Sequence, residues 1–180
     1  MIKLEKYQSN YKHGNIIKRL LWMIVSVIFF ENKLPIPSKI KSIILNLFGA
    51  SISKSVVIKP NVKIKYPWNL IVGDYSWIGE YVWIDNLAKV EIGSNCCISQ
   101  GAYLLTGNHN YKKITFDLII SDIEIKDDVW IGAQSIVCPG VIVNKLAILS
   151  VGSVANKDLL ENGIYQGNPA VLKKERVIIK

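Results

Sequence analysis

The chain is short of the residues that bind metals or staple small folds. It has two histidines, His13 and His109, far apart in sequence, and three cysteines, Cys96, Cys97 and Cys138, in no CxxC pattern. A three-histidine metal centre is therefore excluded. An odd cysteine count without a secretory signal predicts reduced thiols in a cytoplasmic protein, not a disulfide framework. Long apolar runs are also missing. The longest, residues 20–30, is interrupted by Ser26 and has no small-residue cleavage site after it. It is too short to span a bilayer, so any membrane contact is with a surface. Acidic residues are scarce, 14 against 22 Lys and Arg, giving a formal net charge of +8. That balance points to an anionic partner: nucleic acid, an acidic membrane surface or a phosphate-rich ligand. Basic residues occur all along the chain, but with no RNP-like, helix-turn-helix or zinc pattern, so a nucleic-acid partner is not expected.

What is present is a chain of 180 residues, half hydrophobic and one fifth charged, enough for a folded domain with a core. Residues 16–30 carry helical spacing, with Ile16, Ile17, Leu20, Leu21, Ile24, Val25, Ile28 and Phe29 on one stripe and Lys18 and Arg19 off it. A second stripe, Ile40, Ile43, Ile44, Leu47 and Phe48, stops before Gly49, and Leu34-Pro35-Ile36-Pro37 separates the two. These stripes are expected to pack on the body of the protein, the alternative being a basic amphipathic surface that rests on a membrane.

From about residue 52 the period changes to six. Aliphatic residues recur at Ile52, Ile58 and Ile64. After a two-residue slip they recur at Val72, Ile78 and Ile84, and after a second at Ile92, Ile98 and Leu104. Past an interruption they return at Ile125, Ile131, Val137, Val143 and Leu149. Small or β-branched residues follow four positions later, among them Val62, Ser76, Cys96, Ala102, Ser135 and Ala147, and Gly73, Gly79, Gly93 and Gly132 directly follow the aliphatic position. Six residues make one short strand and one turn, and three such units make a triangular coil whose aliphatic positions stack into one core. The glycines are expected to relax the turns. The two slips lie 20 residues apart, so they are expected at one corner. No LxxLxL runs favour a leucine-rich solenoid.

The repeat breaks at Thr106-Gly107-Asn108-His109-Asn110-Tyr111 and resumes near Ile125. A rigid solenoid has no packing need for such a polar loop, and loops on rigid scaffolds are disproportionately functional. Taken with Tyr66-Pro67-Trp68-Asn69-Leu70, Trp77-Ile78-Gly79-Glu80, Ile98-Ser99-Gln100-Gly101-Ala102, Val129-Trp130-Ile131-Gly132-Ala133, Pro139-Gly140-Val141 and Gly167-Asn168-Pro169-Ala170, this loop gives the chain its resemblance. Over about residues 48–176 it resembles the hexapeptide-repeat acetyltransferases, in particular the branch assigned to colanic-acid and other exopolysaccharide biosynthesis. The resemblance implies an all-β fold, a left-handed parallel β-helix, although most parallel crossovers are right-handed. The expected organisation is an N-terminal helical segment, 1–50, and a β-helix acyltransferase domain, 51–180, with a loop insert at 106–124 and a C-terminal tail that contacts CoA. Val143-Asn144 and Leu149-Ser150 depart from the family's Ile-Gly pairs and predict a less regular last coil.

Acyl transfer from a thioester to a hydroxyl needs a base, dipoles for the oxyanion and a means of holding both substrates. Histidine suits the first role because its ordinary pKa lies near ~6.5. His109 is the candidate base; His13 sits in a polar stretch and reads as a solvated residue. Asn108, beside the base, and Asp85 and Asn86, ending a repeat, are candidate acceptor ligands. The resemblance implies direct transfer from acetyl-CoA, without a metal. It also implies an oxyanion donor at the backbone of Ala133, CoA contacts from Trp130, Val151 and Pro169, and phosphate contacts from Lys157, Lys173, Lys174 and Arg176. It further implies a homotrimer with the site between subunits, and a sugar or lipid-linked oligosaccharide acceptor for capsule, exopolysaccharide or O-antigen. An amino-sugar N-acetyltransferase, a serine or simple-sugar O-acetyltransferase and a purely structural solenoid are the alternatives. A metal-dependent β-helix hydratase lacks its histidines.

Overall fold

The computed structural model describes residues 2–7 and 11–179; residues 1, 8–10 and 180, which belong to the two expected segments, lie outside the described set. Short strands stack on three faces. The first face is Ser51–Ile52, Leu70–Val72, Val90–Ile92, Ile123–Ile125 and Ile142–Val143. The second is Val57–Ile58, Trp77–Ile78, Cys97–Ile98, Trp130–Ile131, Ile148–Leu149 and Gly163–Gln166, and the third is Lys63–Ile64, Trp83–Asp85, Tyr103–Leu105, Ile136–Val137 and Val154–Ala155. The chain visits the faces in rotation and winds a solenoid of about six turns.

Register follows the hexad. Ile52 pairs with Val72, which pairs with Ile92, then Ile125 and Val143. Ile58, Ile78, Ile98, Ile131 and Leu149 form the second ladder. Ile64, Ile84, Leu104 and Val137 belong to the third. All of these side chains are buried, and burying each contributes roughly 1.5–3 kcal/mol. The small inward positions are buried too, and their hydroxyls are satisfied by the next coil: Ser76 Oγ donates to the Gly93 carbonyl and Ser135 Oγ to the Ser150 carbonyl, each at 2.7 Å. Val143 and Leu149 keep full register, so the last coils stay regular despite Asn144 and Ser150. The slips and the insert share one corner, where the third face turns into the first.

The glycines after the aliphatic positions serve a different purpose from the one expected. Gly73, Gly79, Gly93 and Gly132 do not have left-handed backbones; the residues two positions on do, with φ of 58° at Tyr75, 59° at Tyr81, 56° at Asn95 and 56° at Gln134. A Cβ at Gly79 would lie 2.6 Å from the Gln100 amide nitrogen, and one at Gly132 2.6 Å from that of Val151. These glycines let successive coils approach; the turn strain falls on other residues.

Two helices close the N-terminal end: α1, Ile16–Phe29, and α2, Ser38–Leu47. The first coil has no strand above it, so its outer backbone groups need partners. Asn46 pairs with Ile52 through Oδ1 and Nδ2, and Ser38 Oγ accepts from the Ile58 amide at 2.9 Å. Lys41 Nζ donates to the Lys59 carbonyl at 2.9 Å, and Trp22 Nε1 to the Ile64 carbonyl at 2.8 Å. That demand reverses most of the expected packing, although Val25, Phe29, Ile44 and Phe48 of the two stripes do pack on the core. Trp22, Ser26, Lys41, Ser42 and Leu45 face inward, whereas Ile16, Ile17, Leu20, Leu21, Ile24, Ile28, Ile40, Ile43 and Leu47 are exposed. At the other end the strand Val171–Glu175 folds back antiparallel on Gly163–Gln166.

Candidate active site

The insert is a β-hairpin. Gly107–His109 pairs antiparallel with Leu118–Ile120 at the corner between the third and first faces. Its root is fixed by buried Thr106, whose Oγ1 donates to the Asp85 carbonyl at 2.8 Å and accepts from the Ala88 amide at 3.1 Å. The His109 ring stacks on Phe116, with centroids 4.4 Å apart and planes 5° from parallel. His109 Nδ1 lies 3.0 Å from the Phe116 carbonyl oxygen. A carbonyl only accepts, so Nδ1 carries the hydrogen and the neutral ring keeps its lone pair on Nε2.

His109 lines a cavity of about 520 Å³ with Tyr7, His13, Lys65, Asp85, Leu87 and Leu118. Asp85 is nearly buried, paired with Lys65 Nζ at 2.8 Å and receiving the Tyr103 hydroxyl at 3.3 Å. Burial, reinforced by the Asp85 charge, pushes the Tyr103 phenol up to about 12, so it stays a donor. Tyr7 and His13 reach this wall from the N-terminal segment. Lys3 N–H is bonded to the Ile114 carbonyl of the hairpin at 2.9 Å, and the Tyr7 ring lies 5.8 Å from that of His109. His13 is exposed, as expected, but it also belongs to the groove. Lys65 was legible in principle, since it sits 20 residues before Asp85, one slipped coil away. Tyr7 and His13 carry no periodic signal.

The other candidate residues divide. Asn108 is exposed, and its Oδ1 accepts from the His109 amide at 2.7 Å. Asn86 is fully buried and spends both ends of its amide on the Tyr66 backbone, at 2.9 and 2.6 Å, so it braces the corner instead of reaching the groove. Trp130 is half exposed on the second face and donates Nε1–H to Ser99 Oγ at 2.9 Å. Ala133 and Val151 stack at the corner between the second and third faces, where their backbone N–H groups find no acceptor among the described residues. Pro169 is close by, in the segment whose Gly167 carbonyl and Ala170 amide bond to Val154. Lys174 is exposed beside Ile164. Arg176 is partly committed, donating Nη1–H to the Asp128 carbonyl at 2.8 Å at a third corner, and exposed Lys157 follows the last strand of the third face. One copy therefore separates the histidine groove from the open amides by a full face.

A triangular hexapeptide solenoid that carries a histidine on a corner hairpin defines a class of acyl-transfer scaffolds. No family model matches the chain. It is 38% identical over 169 residues to WcaF of Escherichia coli (strain K12), a protein ascribed to colanic acid biosynthesis as an acetyltransferase; the match covers 94% of this chain and 93% of WcaF. Among solved structures, a maltose O-acetyltransferase from Clostridium difficile 630 superposes with a TM-score of 0.83 at 23% identity, covering 99% of each chain. A hexapeptide-repeat acetyltransferase of Vibrio cholerae O1 biovar eltor, complexed with acetyl coenzyme A, gives 0.82 at 20% identity, covering 97% of this chain and 96% of that one. The chain belongs to the hexapeptide-repeat acetyltransferases, in the branch that includes WcaF, and is by that membership an acetyltransferase.

Proposed function

We propose that this protein transfers an acetyl group from acetyl-CoA to a sugar hydroxyl, with His109 as general base. The observation that carries the proposal is the Nδ1–H bond to Phe116, which leaves the Nε2 lone pair free on a ring that lines a cavity of about 520 Å³, walled by Leu87 and Leu118 as well as by Lys65 and Asp85. In this reading Nε2 takes the acceptor's hydroxyl proton as the oxygen attacks the thioester carbonyl carbon. The open N–H of Ala133 receives the charge that develops on the carbonyl oxygen. The carbon–sulfur bond then breaks, and the imidazolium returns its proton to the departing thiolate. Asp85, held by Lys65 and Tyr103, and Asn108 orient the acceptor.

The donor fits the second corner. The unpaired amides of Ala133 and Val151 and the half-exposed Trp130 offer polar and flat apolar contact to a pantetheine chain, and Pro169 and Lys174 lie beyond them toward the nucleotide. Because that corner and the His109 groove are separated within one copy, the proposal places the reaction between neighbouring copies in a closed trimer.

The test is His109→Ala, read by thiol release from acetyl-CoA across a panel of nucleotide sugars, amino-sugars and lipid-linked oligosaccharides. Turnover is expected to fall by about 10²- to 10⁴-fold with secondary structure and mass unchanged. Undiminished turnover removes His109 from the mechanism.

A further inference from the structure

We infer that the outer face of α1 is a docking surface for an anionic phospholipid bilayer. The helix contacts the protein through Trp22 and Ser26, with Lys18, Arg19, Val25 and Phe29 partly covered. Ile16, Ile17, Leu20, Leu21, Met23, Ile24, Val27 and Ile28 all point outward, each between 51% (Leu20) and 65% (Ile17) exposed. At 3.6 residues per turn these eight fall in one arc of about 160°. No charged or polar side chain interrupts that arc. A soluble helix normally hides such a face, and a contiguous apolar patch of this kind marks an interaction site.

Charge selects the occupant. Residues 1–60 hold ten Lys or Arg against two Glu, whereas residues 61–180 hold twelve basic and twelve acidic residues. The excess of +8 therefore lies in the helical segment and the first coil beneath it, with Lys41 buried among them, although basic residues occur throughout the sequence. Exposed Lys12 and Lys33 flank α1. A second copy laid on this face would bring like charges together; an anionic headgroup layer neutralises them. The helix has 14 residues, about 21 Å, and no helix among the described residues is long and apolar enough to cross a membrane. An apolar face with basic flanks suits a helix lying in the interfacial plane. The helix also caps the end of the prism. In a trimer joined through its sides with parallel axes, three copies would point the same way and bind together.

This inference does not depend on the acetyl-transfer reading, and an inactive protein tests it equally well. The probe is co-sedimentation of the full chain with vesicles of phosphatidylcholine alone or mixed with phosphatidylglycerol. Binding is expected on the anionic vesicles only, and weakens as salt rises. Lys12→Gln and Lys33→Gln should each reduce it about fivefold. The double variant Leu20→Asn with Ile24→Asn changes exposed side chains only and should keep its circular dichroism and oligomer mass while losing at least about tenfold in binding. Three results would overturn the inference: no binding to anionic vesicles at low salt, equal binding to neutral vesicles, or a fall in oligomer mass in the double variant, which would make the face a contact between copies.

Discussion

The His109 ring stacks on Phe116, and the Asp85 carboxylate is held by Lys65 and Tyr103. The histidine stood out because it sits where the hexad fails. What fixes its tautomer is a main-chain carbonyl seven residues later, a contact that exists only once the hairpin closes. Asn86 shows the reverse. By type and position it read as a ligand, yet its amide is used up by the Tyr66 backbone. Side-chain identity cannot reveal which polar groups the fold itself consumes. Tyr103 gives a residue-scale prediction. Its phenol is raised from 10.0 to about 12, so between those values the folded state binds more protons than the unfolded state. Stability is then lost as pH rises through this window. Urea titrations at pH 9 and pH 11 should show a steeper loss for the native protein than for Tyr103→Phe. Equal losses would mean that Asp85 and burial do not hold the proton on that ring.

At the scale of elements, period six reports core burial, which dominates the energetics, and every aliphatic position it marks is buried. The helical stripes obey that logic only in part: Val25, Phe29, Ile44 and Phe48 pack on the core, and the other stripe residues face outward. The physical difference is the open edge of the first coil. Its unpaired carbonyls and amides at Ile52, Ile58 and Ile64 require polar partners, and the helices turn Asn46, Ser38, Lys41 and Trp22 toward them. An unmade buried hydrogen bond costs about 1–3 kcal/mol, enough across several groups to override helix amphipathicity. The corner glycines allow a sharper test. Gly79→Ala sets a Cβ against backbone at 2.6 Å and should destabilise by about 1–3 kcal/mol, as overpacking does. Tyr81→Gly, at φ 59°, relieves left-handed strain and should be close to neutral. Matched urea denaturation compares the two. If both variants lose the same stability, close approach is not what those glycines serve.

The whole molecule is a prism whose corners differ. One corner carries the hairpin and the His109 groove, another the open amides, and a full face separates them. Under the proposed function the reaction needs both, drawn from two chains, and activity would be a property of the pair. Consider His109→Ala mixed with Ala133→Tyr, the latter filling the amide corner with a side chain. Each variant alone should be inactive, because every junction in its trimer lacks one half. In randomly mixed trimers at equal input, each junction joins the groove of one chain to the corner of the next. About one junction in four then carries an intact groove from the Ala133→Tyr chain and an intact corner from the His109→Ala chain. Turnover should therefore return to about a quarter of the native value. Differently tagged chains, purified through both tags, establish that mixing has occurred; freed of homotrimers, they hold one such junction in three and should reach about a third of the native value. If doubly tagged trimers form and remain inactive, both halves of the site must come from the same chain, and the placement of the acetyl donor at the second corner is wrong.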